Sequence, residues 1–438
     1  MPGVEFCIIP ICFLLSSSLL PGELAGESTE SQAPGAALSL QAAQHTALER
    51  NWDLLAAAKG IDAAVAQTLV VREFPNPTTS LSTMKIGVDH HPSSTPAGNG
   101  FWDRSYDTIF AINQLFEIGG KRGSRKVAAQ AGLEGARAQF FDAKRTLDFA
   151  ITKAYVGAAQ ALENVRVLAQ SAATLREEAR LADIRLRAGE ISSSDKAQIE
   201  VAAERFELDA RSAESTAAQA RIALEILLGI PKPRGELRLD DSLETLAETR
   251  PPAATPESLL QRPDVVASEA AVRKSEAELR LQKANRIPDP TVLAQYEHEP
   301  PDQPNTVGFG LSFPIPLWNR NRGNILAAEA VRDQARLALE KNEAQAAADI
   351  ASAQVVYRDA LNRWQSYRDS IRPKSEQVRK AIAYSYQKGG ASLLDLLVAE
   401  RNDNEVRLAA AQASADTATA VAALKAALTL MPMPTPKR

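Results

Sequence analysis

Few residues in this chain have the type and spacing to do chemistry. Two serine–aspartate pairs stand out, Ser192 with Asp195 and Ser392 with Asp395. Each pair follows a glycine at the same spacing; Gly189 and Gly389 lie 200 residues apart, and so do Asp195 and Asp395. Ser-x-x-Asp at the head of an Ala-rich run is close to a capping box, in which hydroxyl and carboxylate each satisfy a backbone N–H. The chemistry such carboxylates offer is electrostatic, because acidic groups gathered in one place concentrate cations. The four histidines are His45, His90, His91 and His298. Asp89-His90-His91 would suit weak transition-metal binding, but it falls in a polar loop where solvation is the ordinary role, and no metal site is assigned. Gly119-Gly120-Lys121 lacks the upstream glycine and the following Ser or Thr of a phosphate loop. Neither a nucleophile elbow nor a dinucleotide fingerprint occurs, so no cofactor and no enzymatic activity are expected.

The glycines must be positioned by long helices. Ser124 to Arg187 contains no proline, and at 1.5 Å per residue a continuous helix there would run about 95 Å. Leu168, Ala172, Leu175, Ala179, Ala182 and Leu186 recur in a 4-3-4-3-4 rhythm. Ile199, Ala203, Phe206, Ala210, Ala213, Ala217, Ala220, Leu224 and Leu227 keep it on the far side of Gly189. In the second copy Ala399, Val406, Ala410, Ala413, Ala420 and Leu424 repeat it, with Asp403 and Thr417 as polar breaks. A sustained seven-residue period with an alanine seam implies closely packed antiparallel coiled coils, one hairpin per copy, each turning at its glycine. The run from Asn324 is interrupted only by Pro373.

Further back in each copy, a helix (Ser39–Arg72, Ser258–Arg286) stops at Pro-x-Pro, Pro75/Pro77 and Pro288/Pro290, which cannot continue a helix. Strands follow. Thr306–Leu317 alternates Val307, Phe309, Leu311, Phe313, Ile315 and Leu317 with small polar residues, as a barrel wall between lipid and water requires. Its counterpart sets Tyr106, Thr108, Phe110 and Ile112 against Asp107 and Asn113. Thr78–Val88 and Thr291–His298 alternate poorly. Trp102 and Trp318 fall at opposite ends of strands, where an aromatic girdle or core packing would use them. Lys121-Arg122 and Asn319–Arg322, which follow the strands into the helices, suit either headgroup level or a solvated helix start. The first hairpin loop, near Asp89–Arg104, is the longer one. At most four strands cannot close a barrel, because sheet edges are not tolerated in lipid, so several chains must share one wall.

With 438 residues, a net charge of −4 and 5% aromatics, the composition suits long coiled helices and gives no electrostatic case for nucleic acid. The expected organisation is a signal peptide over 1–26, holding Cys7 and Cys12, then a first repeat over 27–230 and a linker or belt over 231–256. A second repeat over 257–430 and a disordered tail over 431–438 complete it. The fold class is mainly α with a small β part.

Nearly the whole mature length resembles the TolC-like outer-membrane efflux channels. The likeness rests on the duplication, the two Pro-x-Pro exits, FPIPLWNRNRG at Phe313–Gly323, and the Tyr-x-x-Gly-x-x-Ser-x-x-Asp tip at Tyr386–Asp395. The run Pro314–Gly323 looks most like the cobalt–zinc–cadmium branch. Leu115 and Leu186 depart from the second copy's Pro314 and Tyr386. The resemblance implies a homotrimer in outer-membrane lipid, with a barrel to which each of three chains gives four strands. Below it, a periplasmic helical barrel docks with an adaptor and a resistance-nodulation-division pump. It places adaptor docking at the tips, here Gly189, Ser192, Gly389 and Ser392, and Asp195 and Asp395 near the tube mouth. The alternatives are a multidrug or type I secretion duct, and a periplasmic coiled-coil adaptor, which two copies with strand pairs disfavour.

Overall fold

The computed structural model describes residues 37–84, 107–252, 261–299 and 303–432, all within one compact unit, Ala37–Arg438. The expected signal peptide, the Asp89–Arg104 loop with its histidines and Trp102, Tyr106, and most of the tail lie outside the described residues.

The chain runs α1 (Leu40–Arg50), α2 (Trp52–Val70), β1 (Thr78–Met84), β2 (Asp107–Leu115), α3 (Lys121–Arg187) and α4 (Ser193–Leu227). It continues with α5 (Leu243–Ala247), α6 (Pro263–Ala284), β3 (Thr291–Glu299), β4 (Gln303–Ser312) and α7 (Arg322–Ser366). A π-helical turn (Tyr367–Ile371) leads to α8 (Arg372–Gln387) and α9 (Leu393–Ala427). The helix expected over Ser39–Arg72 is two. Asn51 breaks it by capping α2, its Oδ1 accepting from Asp53 N at 3.0 Å and Leu54 N at 3.1 Å, while its Nδ2 donates to Leu227 O at 3.0 Å. A short polar side chain that competes for backbone N–H groups favours a cap over a helix interior. The helix expected from Ser258 begins only at Pro263, with Arg262 as its N-cap.

α3 is a 67-residue helix, about 100 Å long, and it packs antiparallel on α4. The alanine seam forms this contact: Ala172, Leu175, Ala182, Ile199, Ala203, Ala210, Ala217 and Leu224 are all buried. In α9, Ala399, Ala410, Ala413, Ala420 and Leu424 are buried likewise. Thr417, a polar break in that seam, is satisfied by donating to Ala413 O at 2.8 Å and lying 3.0 Å from Ala360 O. The expected linker contributes to the core. Leu243 and Leu246 of α5 pack with Leu38, Ala43, Leu54, Ile151, Tyr155 and Leu224 in one cluster. There the Tyr155 hydroxyl donates to Leu38 O at 2.7 Å, and burial pushes its pKa up to about 12.

The four strands form one antiparallel sheet in the order β1-β2-β3-β4. Register puts Leu81, Phe110, Tyr296 and Val307 in one row and Thr79, Ile112, Ala294 and Phe309 in the next. The opposite face carries Ser80, Ala111, Gln295 and Gly308, then Ser82, Ile109, Glu297 and Thr306. One face is therefore apolar and the other mostly small or polar, and the outer sides of β1 and β4 are unpaired among the described residues. β4 ends at Ser312 and not at Leu317, because Pro314 and Pro316 have no N–H to give a ladder.

Candidate functional site: the paired helical tips

Each hairpin turns through the same geometry. Gly189 and Gly389 have φ of +76° and +78°, the left-handed region that closes a helix without a Cβ penalty. Gly189 N donates to Leu186 O at 3.0 Å and Glu190 N to Arg185 O at 2.9 Å. Gly389 N donates to Tyr386 O at 3.0 Å and Gly390 N to Ser385 O at 2.8 Å. These are two Schellman closures.

Both return helices open on a capping box. Asp195 N donates to Ser192 Oγ at 3.1 Å and Ser192 N to Asp195 Oδ2 at 3.2 Å. In the second tip Asp395 N donates to Ser392 Oγ at 3.2 Å, and Ser392 N and Oγ donate to Asp395 Oδ2 at 3.0 and 2.7 Å. The Ser392 hydroxyl and then its N–H hold the Asp395 carboxyl below the usual range, so it is ionised at neutral pH. The two tips lie side by side: the Arg185 guanidinium sits 5.2 Å from the Tyr386 ring centroid, within cation–π range.

A Cβ built on Gly189 or Gly389 meets nothing within 4 Å. Alanine at either position is therefore expected to cost only the left-handed backbone strain, about 1–2 kcal/mol, and to leave assembly intact by size-exclusion and thermal unfolding.

The tips are fastened differently. Across the first hairpin Lys196 Nζ pairs with Asp183 Oδ1 at 2.9 Å, and Arg187 also reaches Asp183 at 2.5 Å. In the second hairpin the ion pair joining its two helices lies about 15 Å from the turn by the helix rise. There Arg379 Nη1 meets Glu400 Oε1 at 3.1 Å and Ser375 Oγ donates to Asp403 Oδ1 at 2.9 Å. Arg379 Nε lies 3.2 Å from Asp403 Oδ2 but aims no hydrogen at it. Asp403 is a polar break in the sequence pattern, and nothing there singled out Arg379 and Glu400; two acids in an otherwise alanine seam were the available signal.

Glu178 of α3 faces this cluster. Burial raises its pKa, Arg185 lowers it, and Glu400 and Glu177 raise it further. A raised carboxylate pKa favours packing below the ordinary glutamate range, and that contribution is lost as pH rises through the raised value. Glu178→Gln should flatten this dependence, read as hydrogen-exchange protection of α9 against pH.

From the tips a groove of about 1030 Å³ runs between α4 and α9 over α3, lined by Leu168, Val201, Phe206, Leu397 and Leu408 with Arg205 among others. Among the described residues no group of three or more His, Cys, Asp or Glu could hold a metal ion. Nor is any described helix long and apolar enough to cross a membrane.

Residues 43–230 and 254–429 match the family of outer membrane efflux proteins. The chain belongs to that family. It is similar to the cobalt-zinc-cadmium resistance protein CzcC of Cupriavidus metallidurans, 26% identical over 371 residues that cover 85% of each chain. The nickel and cobalt resistance protein CnrC of the same organism is 26% identical over 310 residues, covering 70% of this chain and 71% of the relative. A solved membrane protein from Pseudomonas aeruginosa shares the fold with a TM-score of 0.75 at 21% identity, covering 89% of this chain and 92% of that one. As an outer membrane efflux protein the chain is an outer-membrane channel component, and its helices extend into the periplasm. The sheet is thus the membrane end of this efflux protein and the glycine tips are its far end.

Proposed function

We propose that this chain is the passive exit duct of a tripartite efflux system for heavy-metal cations. Three copies share one barrel in outer-membrane lipid, and a periplasmic adaptor joins the tips to a resistance-nodulation-division pump. The observation that carries this reading is the sheet, apolar on one face and open at both edges among the described residues, continuous with a 67-residue helix about 100 Å long that ends at a glycine tip. Open edges in lipid leave N–H and C=O groups unpaired, and pairing β1 of one copy with β4 of the next removes them. Metal cations as cargo rest on the names of the two relatives, which are resistance proteins for cobalt, zinc and cadmium and for nickel and cobalt. The reading assigns no catalysis and no cofactor.

The adaptor would seat on Gly189, Ser192, Gly389 and Ser392 and in the groove that rises from them. Because alanine at Gly389 is sterically free inside the chain, a bulky residue there should abolish export while trimers persist. In a trimer Asp195 and Asp395 would supply six carboxylates near the mouth. Asn at both positions keeps an oxygen for each capping N–H and removes the charge, so cation-over-anion permeability should fall in planar bilayers with the fold intact.

Two measurements test the function. Purified protein should conduct in planar bilayers, and its removal from the host should raise sensitivity to zinc, cobalt, nickel and cadmium salts. Solubility in the periplasm without conductance would overturn the duct. Altered sensitivity to detergents and dyes but not to metals would overturn the cargo.

A further inference from the structure

Among the described residues, the apolar face of the hydrogen-bonded sheet is too short for a membrane. On β4 the outward residues within the hydrogen-bonded strand are Val307, Phe309 and Leu311. Four steps of about 3.3 Å cover roughly 13 Å of chain, and about 10 Å of thickness at the usual barrel tilt. The apolar band of an outer-membrane barrel is about 25 Å tall.

The missing height lies in the segment that follows. Phe313, Ile315, Leu317 and Trp318 are 53%, 67%, 60% and 94% exposed. The segment is nonetheless held in place. Leu317 N donates to Ile315 O at 2.9 Å, and Asn321 N to Asn319 Oδ1 at 3.0 Å. Asn321, with φ of +57°, anchors the end through Nδ2 to Gln282 O at 2.8 Å. Pro314 and Pro316 fix φ, so Phe313 and Ile315 continue the period-two pattern of the strand, and the two prolines also remove two N–H donors that lipid could not satisfy. From Val307 to Ile315 the outward run covers about 26 Å of chain, or about 20 Å across a bilayer at that tilt, and Leu317 and Trp318 follow the turn closed between Leu317 N and Ile315 O. Three other junctions lie at the same end of the sheet and expose Phe74, Phe116, Ile118 and Ile287. Exposed Arg72, Arg286 and Arg320 accompany these junctions, and none of the three has an ion pair among the described residues.

We infer that Phe313–Arg320 is a lipid-embedded rim. Its apolar side chains complete the membrane band on the periplasmic side, Trp318 lies at the boundary of acyl chain and headgroup, and Arg320 meets the phosphodiester of a periplasmic-leaflet phospholipid. Tryptophan prefers that boundary, and arginine matches phosphate geometry. This rests on the barrel reading above and names its lipid partner.

The test uses trimers in vesicles of phosphatidylethanolamine and phosphatidylglycerol with brominated acyl chains. The emission of Trp318 is the difference between the full chain and Trp318→Phe, which leaves the other three tryptophans, Trp52, Trp102 and Trp364, in place. Most of that emission should be lost with bromines near the headgroup and less with bromines near the chain ends. No quenching by either lipid overturns the inference, whether the residue is open to aqueous iodide (facing water) or shielded from it (covered by a second copy). Stronger quenching from the chain ends overturns the rim position. Leu311→Trp, made with Trp318→Phe, separates the two readings. If the indole introduced by Leu311→Trp is quenched and that of Trp318 is not, the rim fails and the barrel stands; if neither is quenched, the barrel reading fails.

Discussion

Arg379→Ala should loosen the second hairpin by about 3–5 kcal/mol, the usual cost of removing one partner from a buried ion pair. The carboxylates left behind have side chains only 7% and 4% exposed, at Glu400 and Asp403. Asp403 would retain Ser375 and a longer contact of 3.6 Å to Arg407 Nε, whereas Glu400 would lose its ion-pair partner. The desolvation of two charges would then be opposed by one distant cation. Hydrogen exchange in α8 and the first half of α9 measures the effect directly. Replacing all three groups together, Arg379→Met with Glu400→Leu and Asp403→Leu, removes the buried charge along with the pairing and should restore most of the protection. If Arg379→Ala alone left exchange unchanged, Arg407 would be the residue that neutralises the cluster. Because α9 also packs on α3, through Ser171 Oγ to Asn404 Oδ1 at 3.1 Å, a loosened second hairpin would carry the relation of the two tips with it. Single-channel recordings of Arg379→Ala should accordingly show more frequent spontaneous opening.

That cluster also shows where sequence reasoning stops. The hairpins were legible because an alanine seam repeats every seven residues for many turns and each turn carries a glycine. The tip chemistry was legible because capping boxes and Schellman closures are local, spanning six residues or fewer. β4 was legible from strict alternation. β1, with Thr, Ser, Leu and Met, has no such contrast, and its place at the sheet edge follows only from pairing with β2. Arg379 meets Glu400 and Asp403 across two helices, and that depends on helix phase, which a single-residue count does not fix. The π-turn before Pro373 is a similar case. A helical proline clashes with the carbonyl four residues back, here Asp369, and the widened turn over Tyr367–Ile371 makes room for its ring. The sequence marks the proline but not the remedy. Residues 37–54 and 231–247 reach the core through contacts distant in sequence, such as Leu40 N to Asp241 Oδ2 at 2.7 Å across 201 residues and the Tyr155 hydroxyl with Asp241 across 86.

An arginine placed along the outward side of β4 and its extension should report how deep each position sits. Leu311→Arg is expected to be the most damaging, about 2–4 kcal/mol for each chain, since that is the cost of a charge at the midplane of a barrel. With three chains sharing one wall the penalty recurs in every copy, so trimers should be nearly absent from the outer-membrane fraction. At Val307 and Leu317 the same substitution should cost only about 0–1 kcal/mol, because both lie near an interface where the side chain reaches water. Thr306→Arg, one residue away but on the opposite face, should assemble normally and change conductance instead. The position of the maximum distinguishes two membranes for the same fold. If only the hydrogen-bonded strand were embedded, Phe309 would be the centre and Ile315→Arg would be harmless. If the band extends through the Pro-x-Pro segment, the centre moves to Leu311 and Phe313, and Ile315→Arg retains a measurable cost. Trimer yield across Val307, Phe309, Leu311, Phe313, Ile315 and Leu317 therefore measures the thickness of the embedded band, independently of any fluorescent probe.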